Sequence, residues 1–380
     1  MLQHRQLVTL YSLAALLASS YLTAEECPVC YTAPCCDPCD SGRFFVDAGF
    51  LYINAQMEEL EYAASVFSTV TSMNPQGAEI DVLSDLKLHS PHFTWRPGVK
   101  ASVGYESENL WNLTLTGLYF HSTAKSHQDL APEFGTVITT FLAPLWNVNS
   151  MGGFSNHAEA KWKLHFGTLD LLVGGRFCPW SCVSLKPNFG LRGAWIEQSY
   201  KASYEDVGFF TFLPFVAPVP TITTSSFLHS RFRGIGFRAG LDFEADLFCH
   251  LSLVGGVGGS LVYGQNKTHK KLNSVFLESV GSAVFPLFTR AKIPEKVNRL
   301  AANLESELGL AYDWDFDCWG LEFSAKYLFS IWFDQNNRKD LFFTGPVFTD
   351  NALFEDSIDF NDKYANLFFQ GLVLEARVDF

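Results

Sequence analysis

Past residue 24 the chain lacks any run of about 18 apolar residues free of charge, so it holds no helix able to span a bilayer. Charge is scarce, at 18% of 380 residues, and the 27 basic residues are outnumbered by 40 acidic ones. The resulting net charge of −13 argues against a nucleic-acid partner. The ten histidines form no H-E-x-x-H and no helical pair for a metal. The Gly-rich stretch VGGVGGSLVYG has no Gly-Lys-Ser/Thr, which a phosphate loop requires. No strand offers the outward Ser and His that a barrel phospholipase would need. The residues therefore predict no enzyme, no cofactor and no metal site.

Aromatic and small residues are abundant instead. Phe, Trp and Tyr reach 15% with 36 Phe, and Gly numbers 28. Such a chain has too much apolar surface for disorder. A length of 380 suggests two or three soluble domains at roughly 150 residues each, but the patterning points elsewhere.

Residues 1–24, MLQHRQLVTLYSLAALLASSYLTA, read as a signal peptide, with Arg5 before the apolar segment 7–17 and small residues at Ser19, Ser20 and Ala24. A permanent anchor is the competing reading; the short segment and the Cys-rich acidic stretch after it favour cleavage. The mature chain is thus expected to be exported into an oxidising space. Five of the nine cysteines, Cys27, Cys30, Cys35, Cys36 and Cys39, crowd into a predicted periplasmic segment at 25–42. A zinc ribbon separates its C-x-x-C pairs by about 15–20 residues, far more than here. Disulfides are the expected fate of these and of Cys178, Cys182, Cys249 and Cys318. Nine is odd, so at least one thiol stays free or pairs between molecules.

From residue 43 onward the chain alternates with period two, the mark of strands with one apolar and one polar face. In LAANLESELGLAYDWDF, Leu300, Ala302, Leu304, Leu308, Leu310, Tyr312, Trp314 and Phe316 share one face, opposite Asn303, Glu305, Glu307, Asp313 and Asp315. A helical step of about 100° would scatter those leucines. The same reading gives strands at 43–55, 94–106, 110–121, 158–177, 183–200, 234–248, 251–264, 300–316, 320–334 and 364–380, with a phase slip near Gly167 read as a bulge. Tight turns (ESEN, CPWSC, CH, DCW) alternate with connections of about twenty to forty residues. That alternation fits periplasmic turns and long external loops. The predicted fold, over 43–380, is an all-β closed antiparallel transmembrane barrel of at least ten strands, between ten and sixteen, with outer-membrane lipid around it.

In LVLEARVDF the last strand alternates and stops on Phe380. A terminal aromatic closing such a strand resembles the assembly signal read by the bacterial barrel-insertion machinery, an expected partner. RFFVDAGFLYINAQ, FTWRPGVKASVGY, LKPNFGLRGAWIEQSY and FRAGLDFEADLFCHLSL look like the MOMP-like, pore-forming outer-membrane proteins of Legionella and Chlamydiae. The resemblance covers nearly all of the mature chain. It implies a major surface porin of a Gram-negative cell and supplies no catalytic residue. The Cys-rich leader resembles the disulfide-linked envelope proteins of Chlamydiae.

Three constellations follow. Taking each polar face as interior, Arg96, Lys100, Lys161, Lys163, Lys186 and Arg192 line one wall of the lumen. Asp242, Glu244, Asp246, Glu305, Glu307, Asp313 and Asp315 line the other. Two walls of opposite sign would set a transverse field favouring passage of small polar solutes. Pairing of the charges across a narrow, plugged barrel is the opposite outcome, since open channels usually need about sixteen strands. The cysteines cluster on the turn side, as a patch cross-linking neighbours, envelope proteins or a homo-oligomer, or with Cys178 and Cys182 closing their own turn. The external loops FGTVITTFLAPLW, FFTFLPFVAPVP and VFLESVGSAVFPLF are apolar, which predicts packing, with an entry site for hydrophobic solutes or host contact as alternatives.

Overall fold

The computed structural model describes residues 42–73, 80–107, 111–134, 138–146, 153–180, 182–205, 208–209, 223–248, 250–280, 283–316, 319–344 and 357–380. The expected signal peptide and nearly all of the Cys-rich segment lie outside these residues. The strands are, in chain order, β1 (Arg43–Met57), β2 (Ala63–Met73), β3 (Ile80–His89), β4 (Trp95–Glu106), β5 (Trp111–Asp129), β6 (Glu133–Phe134), β7 (Ile138–Pro144) and β8 (Gly153–Phe154). They continue as β9 (His157–Gly175), β10 (Phe177–Trp180), β11 (Val183–Glu205), β12 (Gly208–Phe209), β13 (Thr224–Phe248), β14 (Leu251–Val280), β15 (Ala283–Phe316), β16 (Trp319–Thr344) and β17 (Ser357–Asp379).

Ten of these close into a ring in the order β1-β4-β5-β9-β11-β13-β14-β15-β16-β17, every pair antiparallel, with the short β10 added beside β11. The first and last strands zip together: Phe44 N–H donates to the Phe380 carbonyl at 2.9 Å, and Phe380 N–H donates back at 2.8 Å. Both ends of the barrel chain therefore lie on the turn side. Closure leaves no edge strand unpaired, which a sheet immersed in hydrocarbon requires.

Side chains alternate between lumen and exterior along each strand, but the chemistry of the two faces exchanges part-way up. On β9, Leu169, Leu171 and Val173 point outward, and Thr168 and Asp170 point inward. Higher on the same strand the outward positions are His165, Lys163 and Lys161, while Phe166, Leu164, Trp162 and Ala160 fill the interior. The pairings with β5 and β11 run through Gly167 without a shift, so the expected bulge is absent. What changes at Gly167 is the medium outside. Below it the exterior meets hydrocarbon and polar groups turn inward; above it the exterior meets water and the apolar groups turn inward.

The same exchange occurs on neighbouring strands. β11 passes outward from Phe189, Leu191 and Trp195 to Glu197 and Lys201, and inward from Lys186 and Arg192 to Ile196, Tyr200 and Tyr204. β13 passes outward from Phe237 and Ile235 to Arg233 and Arg231, and β14 from Leu261 and Tyr263 to Gln265 and Lys267. Aromatic side chains mark both limits of the apolar belt. Phe44, Tyr105 and Trp111 pack in sequence at the turn end, with ring centroids 4.9 and 5.9 Å apart. Tyr52 stacks on Trp95 at 5.5 Å at the other limit. From Phe44 to Tyr52 a strand tilted by ~40° rises about 20 Å, close to the ~25 Å apolar band of outer-membrane barrels.

The inversion explains why several strands outrun their expected ends. β14 and β15 extend past 264 and 300 with continuous pairing to Val280↔Ala283, so 275–280 and 283–288 of the third apolar segment form strand rather than loop. The connection after β1 holds the hairpin β2–β3, which pairs with β7 to make a small sheet over the barrel mouth. There Leu142 and Trp146, from the first apolar loop, are buried with Tyr62. Trp146 N–H donates to Tyr204 Oη at 3.0 Å, and its indole N–H to the Glu61 carbonyl at 2.8 Å. Residues 210–220 of the second apolar loop lie outside the described residues.

Leu171→Arg, outward in the belt, is expected to lower stability by ~2–4 kcal/mol in urea refolding into vesicles. Lys163→Gln, outward above the boundary, should stay within ~0.5 kcal/mol of the unsubstituted protein. Equal losses for the two would refute the inversion.

Candidate functional site in the barrel lumen

The lower half of the lumen holds a cavity of about 310 Å³, lined by eight carboxylates and six cations. These numbers nearly balance, and the groups are interlaced rather than sorted by wall. At mid-height Arg192 on β11 forms a fork with Asp170 on β9, Nε to Oδ1 at 2.7 Å and Nη2 to Oδ2 at 2.6 Å. The same guanidinium reaches across to β15, where Nη1 donates to Asn303 Oδ1 at 2.7 Å and to Glu305 Oε2 at 2.9 Å. Arg238 on β13 closes the group through Nε to Glu305 Oε1 at 2.7 Å. Arg192 is 4% exposed, so its positive charge is held by these acceptors rather than by water.

A second group lies nearby. Lys100 on β4 contacts Glu375 on β17 at 2.6 Å and Glu307 on β15 at 3.6 Å. Lys326 on β16 contacts Glu375 at 2.5 Å. Nearer the turns, Lys186 pairs with Glu244 at 3.0 Å and Asn188 donates to Asp242 at 2.7 Å. Arg377 lies over the Phe45 ring at 4.1 Å and pairs with Asp379 at 2.6 Å. Two β14 glycines make room for these long side chains. A Cβ at Gly256 would sit 2.4 Å from Asp242 Oδ1, and one at Gly258 would sit 3.3 Å from Glu305 Oε1.

Above the Arg192 group the lumen turns apolar. Phe166 on β9 meets Trp332 on β16, five strands away in a ring of ten, with centroids 5.5 Å apart at 74°. Phe369 packs on Phe166 at 4.5 Å and on Phe120 at 5.9 Å. Leu51, Ile53, Trp162, Leu164, Ile196 and Phe232 are likewise buried inside the barrel. The loop contacts of Leu60 and Tyr62 continue the fill: Tyr200 Oη donates to the Leu60 carbonyl at 2.9 Å, and Tyr204 Oη to the Tyr62 carbonyl at 2.7 Å.

Of the charges expected in the lumen, the structure brings Lys100, Lys186, Arg192, Asp242, Glu244, Glu305 and Glu307 to the cavity wall. Lys161 and Lys163 are a correction: they point outward, because on that part of β9 the apolar face is the inner one. Arg96 sits exposed near the upper end of β4 and donates to the Thr123 carbonyl at 3.4 Å. Asp246 and Asp313 lie at the turn end, and the side chain of Asp315 lies outside the described residues. The two walls of opposite sign are not formed either. Asp47 and Asp170 stand on early strands, Arg238, Lys326 and Arg377 on late ones, and the charges meet in pairs. Sequence reading passed over Asp170, Arg238, Lys326 and Glu375. Asp170 was hidden by the supposed slip at Gly167, although its alternation with Leu169 and Leu171 marks it as inward.

Cys178 is an exposed free thiol on the turn side, so a bond from Cys178 to Cys182 is absent, while Cys182 is in a disulfide. Cys27, Cys30, Cys35, Cys36, Cys39, Cys249 and Cys318 lie outside the described residues. Phe380, the expected assembly signal, is exposed at the seam between first and last strands.

Arg192→Met would remove the fork on Asp170 and leave Asp170 and Glu305 with Arg238 alone. A loss of ~3–5 kcal/mol in detergent-solubilised protein is expected. A urea midpoint unchanged from the unsubstituted chain would show that the group holds nothing together.

No curated protein matches the chain. Among solved structures, the outer membrane protease OmpT from Escherichia coli is similar at 10% identity, with a TM-score of 0.34, covering 92% of this chain and 99% of that one. A Pseudomonas aeruginosa FadL homologue is similar at 10% identity, with a TM-score of 0.21, covering 90% of each chain. The family model described as Legionella pneumophila major outer membrane protein precursor matches residues 36–380, and with a closed antiparallel barrel on the page this chain belongs to that family of outer-membrane proteins.

Proposed function

We propose that the protein is a structural barrel of the outer membrane whose lumen is shut to solutes larger than water in its resting state. The observation that carries this reading is the contact of Phe166 with Trp332 across the full diameter of the ring. An open channel needs a continuous wet path, and ten strands enclose little more than the side chains that fill them. The Arg192 group below adds a second barrier, because a passing solute would have to part a desolvated, multiply bonded guanidinium.

A porin role is the second reading, favoured by the polar cavity below the aromatic layer and implied by the resemblance to pore-forming proteins. Passage of small polar solutes would then require the Phe166, Trp332 and Phe369 layer to move. Liposome swelling separates the two. Vesicles holding the unsubstituted chain are expected to swell in arabinose no faster than protein-free vesicles, and those holding F166A/W332A to swell faster. Swelling by the unsubstituted chain at the rate of an open porin would overturn the closed-lumen reading.

The structural role extends to cross-linking. Exposure of Cys178 on the turn side supports a thiol available to a second envelope molecule in an oxidising periplasm. Envelope preparations run without reductant should show a higher band that Cys178→Ser weakens. A monomer alone in the unsubstituted lane would remove the cross-linking role.

A further inference from the structure

Three register rows run round the outer face just above the apolar belt, and the highest of them is basic at five of its six positions. The highest joins Lys125, Lys161, Lys201, Phe227, Lys271 and Lys292, each directly opposite the next across β5, β9, β11, β13, β14 and β15. The lowest ends in Arg231, Lys267 and Lys296, again directly opposite one another. Between them stands Lys163 on β9. Strands lie about 4.8 Å apart, so like charges on opposite positions repel. The acid within these rows is Glu197, and Arg231 already engages it at 2.8 Å. None of the five lysines of the highest row is ion-paired among the described residues. The facing Lys125, with Lys163 and Lys201, outweighs the nearby Glu159 and holds the Lys161 ammonium below the ordinary lysine range.

The contrast with the interior is sharp. Each of the six cations of the lumen cavity has a carboxylate within ion-pair distance. Outside, a chain of net charge −13 gathers lysines on one side of the barrel and sets no acid among the highest row. Anions supplied from elsewhere would relieve the repulsion on such a face. Its place in the fold says where from. The aromatic limit of the belt at Tyr119 and Trp195 fixes the level of the lipid headgroups, and the lowest of the three rows lies one residue pair beyond it.

We propose that this face binds the phosphorylated sugar headgroup of a glycolipid in the external leaflet. One to three rows on a tilted strand reach roughly 5–15 Å past the aromatic limit. A phospholipid phosphate stays beside the acyl chains, whereas phosphates carried on sugars extend through that interval. Each phosphate offers acceptors to two or three ammonium groups from neighbouring strands and relieves their repulsion. The lipid thereby becomes a clamp across β5, β9 and β11. This rests on the outer-membrane placement alone and is independent of whether the lumen conducts.

The test uses the full chain in non-ionic detergent. Its melting temperature is followed while adding rough-type lipopolysaccharide, the same preparation dephosphorylated, or phosphatidylglycerol. Phosphorylated lipopolysaccharide should raise the melting temperature and the dephosphorylated form should do little. In K125Q/K161Q/K201Q the apparent affinity should fall by about 100-fold, taking the surface attraction of each lysine as additive. The lipid-free variant should melt at the same temperature or higher, because the facing charges are gone, which separates lost binding from lost folding. Equal shifts with and without phosphate, a full shift from phosphatidylglycerol alone, or an unaltered response in the triple variant would each overturn the proposal.

Discussion

The structure depends on one constraint: each side of a closed sheet must match the medium it faces, and this sheet passes through two media. The backbone geometry stays constant from turn to loop, while the outer solvent changes from hydrocarbon to water. Alternation is preserved and its polarity is exchanged, at Gly167 on β9 and between Trp195 and Glu197 on β11. In hydrocarbon the apolar side chains go out and the chain's charges have only the lumen left to occupy. In water the hydrophobic effect sends Trp162, Leu164 and Ile196 inward, and the upper barrel packs as a soluble β-barrel does. The position of the aromatic layer is therefore a consequence of where the membrane ends.

The lumen follows the same logic. Charges driven inside a narrow ring cannot be hydrated freely, so they are matched: Arg192 to Asp170 and Glu305, Lys100 to Glu375 and Glu307. Burying an ion pair brings little net stability, but removing one member strands the other, which makes the network hard to dismantle piecemeal. Because Arg192 binds β9 and β15 at once, it also fixes strands that are not neighbours in the sheet. Gly256 and Gly258, on the strand beside Asp242 and Glu305, are the steric counterpart of these long side chains.

Much of the fold was legible in the amino-acid order. The ten barrel strands, the tight turns and the seam at Phe380 follow from period-two alternation and turn spacing. Strand ends were less legible. A reading that assigns one face to lipid throughout treats an exchange of polarity as a loss of pattern, and so it shortened β14 and β15 and invented a bulge on β9. The same assumption put Lys161 and Lys163 inside. Residues such as Lys100 and Glu305, which lie within the belt, were placed on the cavity wall by parity alone. Their partners were not, since Arg192 to Asn303 or Lys100 to Glu375 depends on how a sheet curls, and periodicity along one strand carries no information about that.

Net charge illustrates how an average can mislead about a surface. At −13 the chain reads as acidic, and that excludes a polyanion wrapped around the whole molecule. The lumen, with eight carboxylates against six cations, holds little of that net charge, so the average comes from acids elsewhere in the chain and does not describe the outer face of these strands. The lysines above the boundary are offset far less than the lumen cations, because the acids beside them on the outer face of β9 and β11 are Glu159 and Glu197, and Glu197 already engages Arg231. A register row of a barrel is a line that runs obliquely over its surface, so like residues paired on successive strands sum into a stripe. Lys125, Lys161 and Lys201 are far apart in sequence and adjacent in space, and only strand pairing converts three unremarkable lysines into a concentrated positive band at the edge of the bilayer.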